Sequence, residues 1–123
     1  MTTISVAHAS VTVSARRREM TAYVRIAGEI DIAIEAALGD AIDRLVAVAP
    51  HTVEVDLTAV TFSGVNLANF FAQMYSVIPD GATIVAHGAS PRVRRVLDLT
   101  GISELVSLHE DAPTRATDAA EEA

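Results

Sequence analysis

After residue 20 the hydrophobic period of this chain switches repeatedly between two residues and about 3.6. Three times a β-branched run gives way to apolar residues recurring at spacings of three and four, and three times another β-branched run follows. Strands separated by helices are parallel neighbours, because each helix must carry the chain back to the end where the last strand began. Strands are predicted over Thr21–Ala27, Thr52–Leu57, Ala82–Ala86 and Leu105–Leu108, and helices over Asp31–Ala49, Asn66–Ile78 and Ser90–Thr100. Upstream, Val11-Thr12-Val13-Ser14-Ala15-Arg16 alternates like a half-buried strand. The polar Arg17-Arg18-Glu19-Met20 turns it into a hairpin with Thr21–Ala27, which Gly28 is expected to end. The order is ββαβαβαβ, an α/β fold with a mixed sheet of four to five strands. Residues 1–10 fit either a further strand or a loose lead.

The helices carry their own boundary signals. In the first, Ile34, Leu38, Ala41, Ile42, Leu45 and Val46 form one apolar stripe. Asp31 is the expected N-cap, Glu35 adds negative charge to the first turn, and Pro50 stops the helix. Gly39 lies inside it, where close packing would explain a residue of low helix propensity. The second helix buries Leu67, Phe70, Phe71, Met74, Val77 and Ile78, with both phenylalanines in the core. The third begins with an N-cap hydroxyl and a proline, Ser90-Pro91, and closes on Gly101.

Composition narrows the chemistry. The 123 residues suit a single domain, read as 1–109, and 110–123 form an acidic tail without large apolar residues, expected to be disordered. There is no cysteine, hence no disulfide, thiolate ligand or thiol nucleophile. The formal charge is −7, with nine arginines and no lysine, which argues against nucleic acid as a partner. Arg16-Arg17-Arg18 and Arg92, Arg94 and Arg95 are local clusters, read as solvated patches or as the counterpart of an acidic partner. No signal peptide and no membrane span are read in the sequence, so a cytoplasmic location is expected. His8, His51, His87 and His109 lack metal-ligand spacing. No Gly-x-Ser-x-Gly occurs, and Gly64 and Gly81 build no phosphate loop. No cofactor, metal or catalytic residue is expected. Asp56, at a strand end, is read as a turn-stabilising carboxylate.

Three segments resemble a known family. Gly28-Glu29-Ile30-Asp31-Ile32 resembles the Gly-Glu-Leu-Asp motif of STAS domains, the bacterial anti-sigma factor antagonists. Val55-Asp56-Leu57-Thr58-Ala59-Val60-Thr61-Phe62 is similar to their third strand and the approach to their regulatory loop. Ser90-Pro91-Arg92-Val93-Arg94-Arg95-Val96-Leu97-Asp98-Leu99-Thr100-Gly101-Ile102 resembles their last helix, and the likeness spans residues 11–108 in the right order. It implies a sheet with helices on one face. It also implies binding to an anti-sigma factor of kinase fold, which frees a sigma factor for transcription. In the family that partner phosphorylates a Ser or Thr in an Asp-Ser-Ser/Thr-Gly loop, and the complex comes apart.

Here the chain departs from the pattern. Counting from Phe62, the family loop falls on Gly64-Val65-Asn66-Leu67, and neither hydroxyl is present. Without one, the usual switch of about −1.5 to −2 charges has no acceptor. Ser63, the nearest hydroxyl, is a cap, a turn residue or an off-register phosphosite. The expected contact residues are Asp31, Ser63, Gly64, Val65, Asn66 and Asn69, with Asn66 a helix cap or a contact through its amide. Asn66→Asp is expected to weaken a complex and leave folding intact. The leading reading is therefore a binding module without chemistry, an antagonist lacking the serine switch, with homodimerisation left open. The alternative is a STAS-like accessory subunit of a membrane transporter ATPase, which needs no phosphoserine. A small-ligand enzyme on the same frame is a third class, disfavoured by the lack of paired catalytic residues.

Overall fold

The computed structural model describes residues 2–6 and 9–110. Strands β1 (Thr2–Val6), β2 (Ala9–Arg16) and β3 (Thr21–Ile30) form an antiparallel meander. Helix α1 (Glu35–Val48) leads to β4 (Thr52–Ser63), α2 (Val65–Val77) to β5 (Thr83–His87), and α3 (Pro91–Leu99) to β6 (Ser107–His109). Strands β3 to β6 pair in parallel, and the six-stranded sheet keeps chain order from β1 to β6. The three crossovers advance in one direction, and α1, α2 and α3 all bury residues in one core, as crossovers of a single hand on one face of the sheet do.

That face is the core. Val11, Val13, Ala22, Val24, Ile26, Val53, Val55, Leu57, Ile84 and Ala86 point into it at the period-two spacing of a strand. The helices answer with Ala37, Leu38, Ala41, Ile42 and Leu45 from α1, Leu67, Ala68, Phe70, Phe71 and Met74 from α2, and Val93 and Leu97 from α3. Two residues assigned to the buried stripes are outside: Val46 is 53% exposed and Val77 36%. Both sit in the last turn of their helix. The opposite face is polar. It carries Arg25 against Asp56 at 3.9 Å, His87 against Glu54 at 3.1 Å, and the His87 and His109 rings with centroids 5.3 Å apart.

The ββαβαβαβ order holds, and β1 adds a sixth strand in the stretch the sequence left open. Three boundaries differ. Gly28 does not end its strand but continues it with φ +88, at a register shift between Gly28 and Glu29. A bulge of this kind needs a residue tolerant of the left-handed region. It lets β3 run to Ile30, which keeps β4 in the sheet to Ser63, six residues beyond the expected end at Leu57. At the far edge, Ile102–Glu104 forms a 3-10 turn, so β6 starts at Ser107 rather than Leu105. The expected disordered tail lies outside the described residues from 111 onward.

Gly39 corrects another expectation. A Cβ built at Gly39 meets nothing within 4 Å, so close packing does not explain it. Gly39→Ala should therefore stabilise the protein by up to about 1 kcal/mol, the helix-interior difference between the two residues. A shift of the urea midpoint upward at constant slope would show it, and a downward shift would mean the site is tighter than its geometry.

Candidate functional site

Parallel strands deliver their following loops to one edge of the sheet, and ligands of open α/β sheets gather at that carboxyl edge. Here the loops after β3 and β4 run into the starts of α1 and α2. Asp31 is half-buried, and its Oδ1 accepts from the Ala33 N–H at 2.9 Å. It caps a 3-10 turn, Ile32–Ile34, and not α1, which starts at Glu35 with Ile34 in the cap position and no side-chain cap. The tight turn intervenes because Asp31 holds the N–H two residues on, the short-range bond typical of an Asx turn.

Ser63 ends β4, paired in register with Ile30; its side chain lies outside the described set. Gly64 takes the N-cap position of α2 with extended dihedrals. Asn66 consequently falls at the second helical position and caps nothing. Its Nδ2 donates instead to Oε1 of Glu35 at 2.5 Å, tying the start of α2 to the start of α1. Val65 is 62% exposed.

Between α1 and α2 lies an open groove of about 290 Å³ lined by Glu35, Leu38, Gly39, Asn66, Asn69, Phe70 and Gln73. The structure thus brings Asn66 and Asn69 into one site, with Gly64 and Val65 beside them at the helix start; Asp31 does not line it. Gln73 and Glu35, the latter expected only as a first-turn acid, are not among the contact residues read from the sequence. A signal existed: Asn66, Asn69 and Gln73 stand at i, i+3 and i+7, an amide stripe on one side of α2. Helix α2 carries no charged residue at all. Val65, Asn69, Ala72, Gln73, Tyr75 and Ser76 are exposed along it, Tyr75 to 50%. Protein interfaces lose charge and gain aromatic residues at their centres, and this surface has that character.

Elsewhere the candidate groups have structural partners. Asp56 accepts from the Thr58 N–H at 2.9 Å and its hydroxyl at 2.6 Å; it lies inside β4 beside a register shift, not at a strand end, so its carboxylate steadies an irregular strand and not a turn. Among the described residues no three His, Cys, Asp or Glu side chains are grouped to hold a metal ion, and no helix is long and apolar enough to cross a membrane.

The family model described as "Mlab, STAS domain" matches residues 13–107. The chain belongs to the STAS family. Solved structures agree. An anti-sigma factor antagonist from Mycobacterium paratuberculosis is 27% identical, with a TM-score of 0.74 over 91% of this chain and 94% of that one. The anti-sigma factor antagonist SpoIIAA in its unphosphorylated form is 17% identical, TM-score 0.64, covering 92% and 97%. The Bacillus cell fate determinant SpoIIAA in the phosphorylated form is 16% identical, TM-score 0.60, covering 88% and 96%. The last two establish the shared STAS fold only. No curated protein sequence matches the chain. This STAS domain has an anti-sigma antagonist-like architecture, and its α2 junction carries an exposed Val65 and a half-buried Asn66.

Proposed function

We propose that this STAS domain is a cytoplasmic anti-sigma factor antagonist that docks a kinase-fold anti-sigma factor on α2 and releases a sigma factor, without the family's serine switch. It performs no reaction of its own. The observation that carries the reading is the uncharged, exposed face of α2, which begins at Val65 and Asn66 where a switchable hydroxyl would stand. The contact set is Val65, Asn66 and Asn69, flanked by Gly64, Ser63 and Asp31. Lacking an acceptor there, the domain stays competent to bind in the presence of ATP.

Val65→Glu is the incisive test. It puts a charge on an exposed position of α2, so folding is unaffected, while a desolvated charge at the interface weakens the complex by about tenfold or more. Isothermal titration against a kinase-fold anti-sigma factor captured from the native organism reads it. An unchanged dissociation constant removes α2 from the interface. With ATP added, the Ser63–Asn66 loop should take up no phosphate, and phosphate mapped to Ser63 would overturn the register. Asn66→Asp, although suggested by the sequence, mixes two effects: its carboxylate would face Glu35, so folding and binding change together.

A second reading has its own support. The matched family model carries the Mlab description, and an accessory subunit of a membrane transporter ATPase needs no hydroxyl in this loop. Co-purification of a transporter ATPase in place of a kinase-fold protein would decide for it.

A further inference from the structure

We infer that the groove between α1 and α2 is a socket for one arginine side chain of the docked protein. The inference rests on the antagonist reading for the partner's identity, and on the groove alone for its chemistry. The groove holds about 290 Å³, at the lower end of the roughly 300–1,000 Å³ of small-ligand sites, and it is half open to solvent where such sites enclose their ligand. That suits a protruding side chain better than a free metabolite.

The lining is graded along its depth. Leu38 and Phe70 are buried and give an apolar floor, and Gly39, with no side chain, leaves one wall open. Polar groups stand above: Glu35, Asn69 and Gln73 are exposed and offer a carboxylate and two amide oxygens. Among the described residues no Lys, Arg or His lines the groove. One Asn66 N–H is given to one Glu35 oxygen, which holds that carboxylate at the groove mouth with acceptor capacity to spare. An apolar floor beneath several acceptors, one of them anionic, complements an aliphatic stem ending in a planar fork of N–H donors. That is arginine; lysine shares the stem but ends in a compact point charge.

The test uses the full chain, labelled with nitrogen-15 and titrated with Nα-acetyl-arginine methylamide. Saturable shifts are expected at the side-chain amides of Asn66, Asn69 and Gln73 and at the Gly39 N–H. The neutral citrulline analogue and the Glu35→Gln variant should each bind about fivefold more weakly, the difference between a charge-assisted and a neutral hydrogen bond. The amide oxygen introduced by Glu35→Gln can still accept from Asn66, so the helix tie survives. Gly39→Leu should abolish the shifts while raising the melting midpoint, because leucine fills open space in a helix interior; a misfolded variant would lower it. Equal affinity for citrulline or for the lysine analogue, or shifts away from the groove, overturns the socket. The two proposals fail separately. An anti-sigma complex on α2 without arginine binding refutes only the socket. Arginine binding in the absence of any sigma-regulator partner refutes only the antagonist reading.

Discussion

Phe71→Ala is expected to destabilise the protein by about 3–5 kcal/mol, the range for deleting a buried aromatic ring. Phe71 has 0% exposure and Phe70 1%, and their rings meet edge to face with centroids 6.2 Å apart and planes at 62°. Truncation removes buried apolar area, opens a cavity, and breaks a pair worth about 0.5–1.5 kcal/mol beyond its area. Small domains have a total stability of about 5–15 kcal/mol, so one ring holds a large part of it. The same residue fixes α2 on the sheet, and the groove with Asn69 and Gln73 travels with that helix. Urea denaturation should show the midpoint falling with the slope unchanged, and binding through α2 should be lost as the unfolded fraction grows. A loss below about 1 kcal/mol would put Phe71 outside the core, contrary to its burial.

What the sequence shows plainly here is what depends on short-range pattern. The stripe of Leu67, Phe70, Phe71 and Met74 marks α2 because a helix with one buried face must repeat at three and four. Ser90-Pro91 marks α3, and the structure has the Ser90 hydroxyl accepting from the Val93 N–H at 3.2 Å. The far end of β4 is a different matter. Ala59, Val60, Phe62 and Ser63 are strand residues only because Ala27, Gly28, Glu29 and Ile30 stand beside them, and that pairing depends on two register shifts. A shift of register is a property of two distant segments and leaves little trace in either. The site divides in the same way. Exposure of Asn69 followed from the burial of its neighbours. The role of Asn66 did not, because its partner Glu35 lies 31 residues away in sequence. Asn66 has the composition of a cap, yet Gly64 takes the cap position and leaves the amide free to bridge two helices. Residue type predicted that Asn66 would make a hydrogen bond; tertiary structure chose with whom.

Gly88→Ala is expected to cost about 2–5 kcal/mol, from two separable sources. The first is conformational: Gly88 has φ +72, where a residue bearing a Cβ is strained by about 1–2 kcal/mol. The second is steric: the new Cβ would lie 2.1 Å from Cγ2 of Thr58, 3.2 Å from its Cβ and 3.4 Å from its Cα. Overpacking of this kind typically adds about 1–3 kcal/mol. Thr58 is an exposed residue, and an exposed side chain would ordinarily rotate away. This one is held, since its hydroxyl donates to Asp56 at 2.6 Å while its N–H donates to the same oxygen. Gly88 is equally fixed, its N–H donating to the His109 carbonyl at 2.9 Å and so closing β6 onto the sheet. Thr58→Ser separates the two sources. It deletes the methyl at 2.1 Å and keeps the hydroxyl on Asp56, so Gly88→Ala in that background should regain most of the steric cost of about 1–3 kcal/mol and retain the backbone strain together with the milder 3.2 Å contact to the residue-58 Cβ. The double-mutant cycle reads this coupling from four urea midpoints. Additive effects within about 0.5 kcal/mol would show that Thr58 and residue 88 do not meet, and that the loop after β5 lies elsewhere.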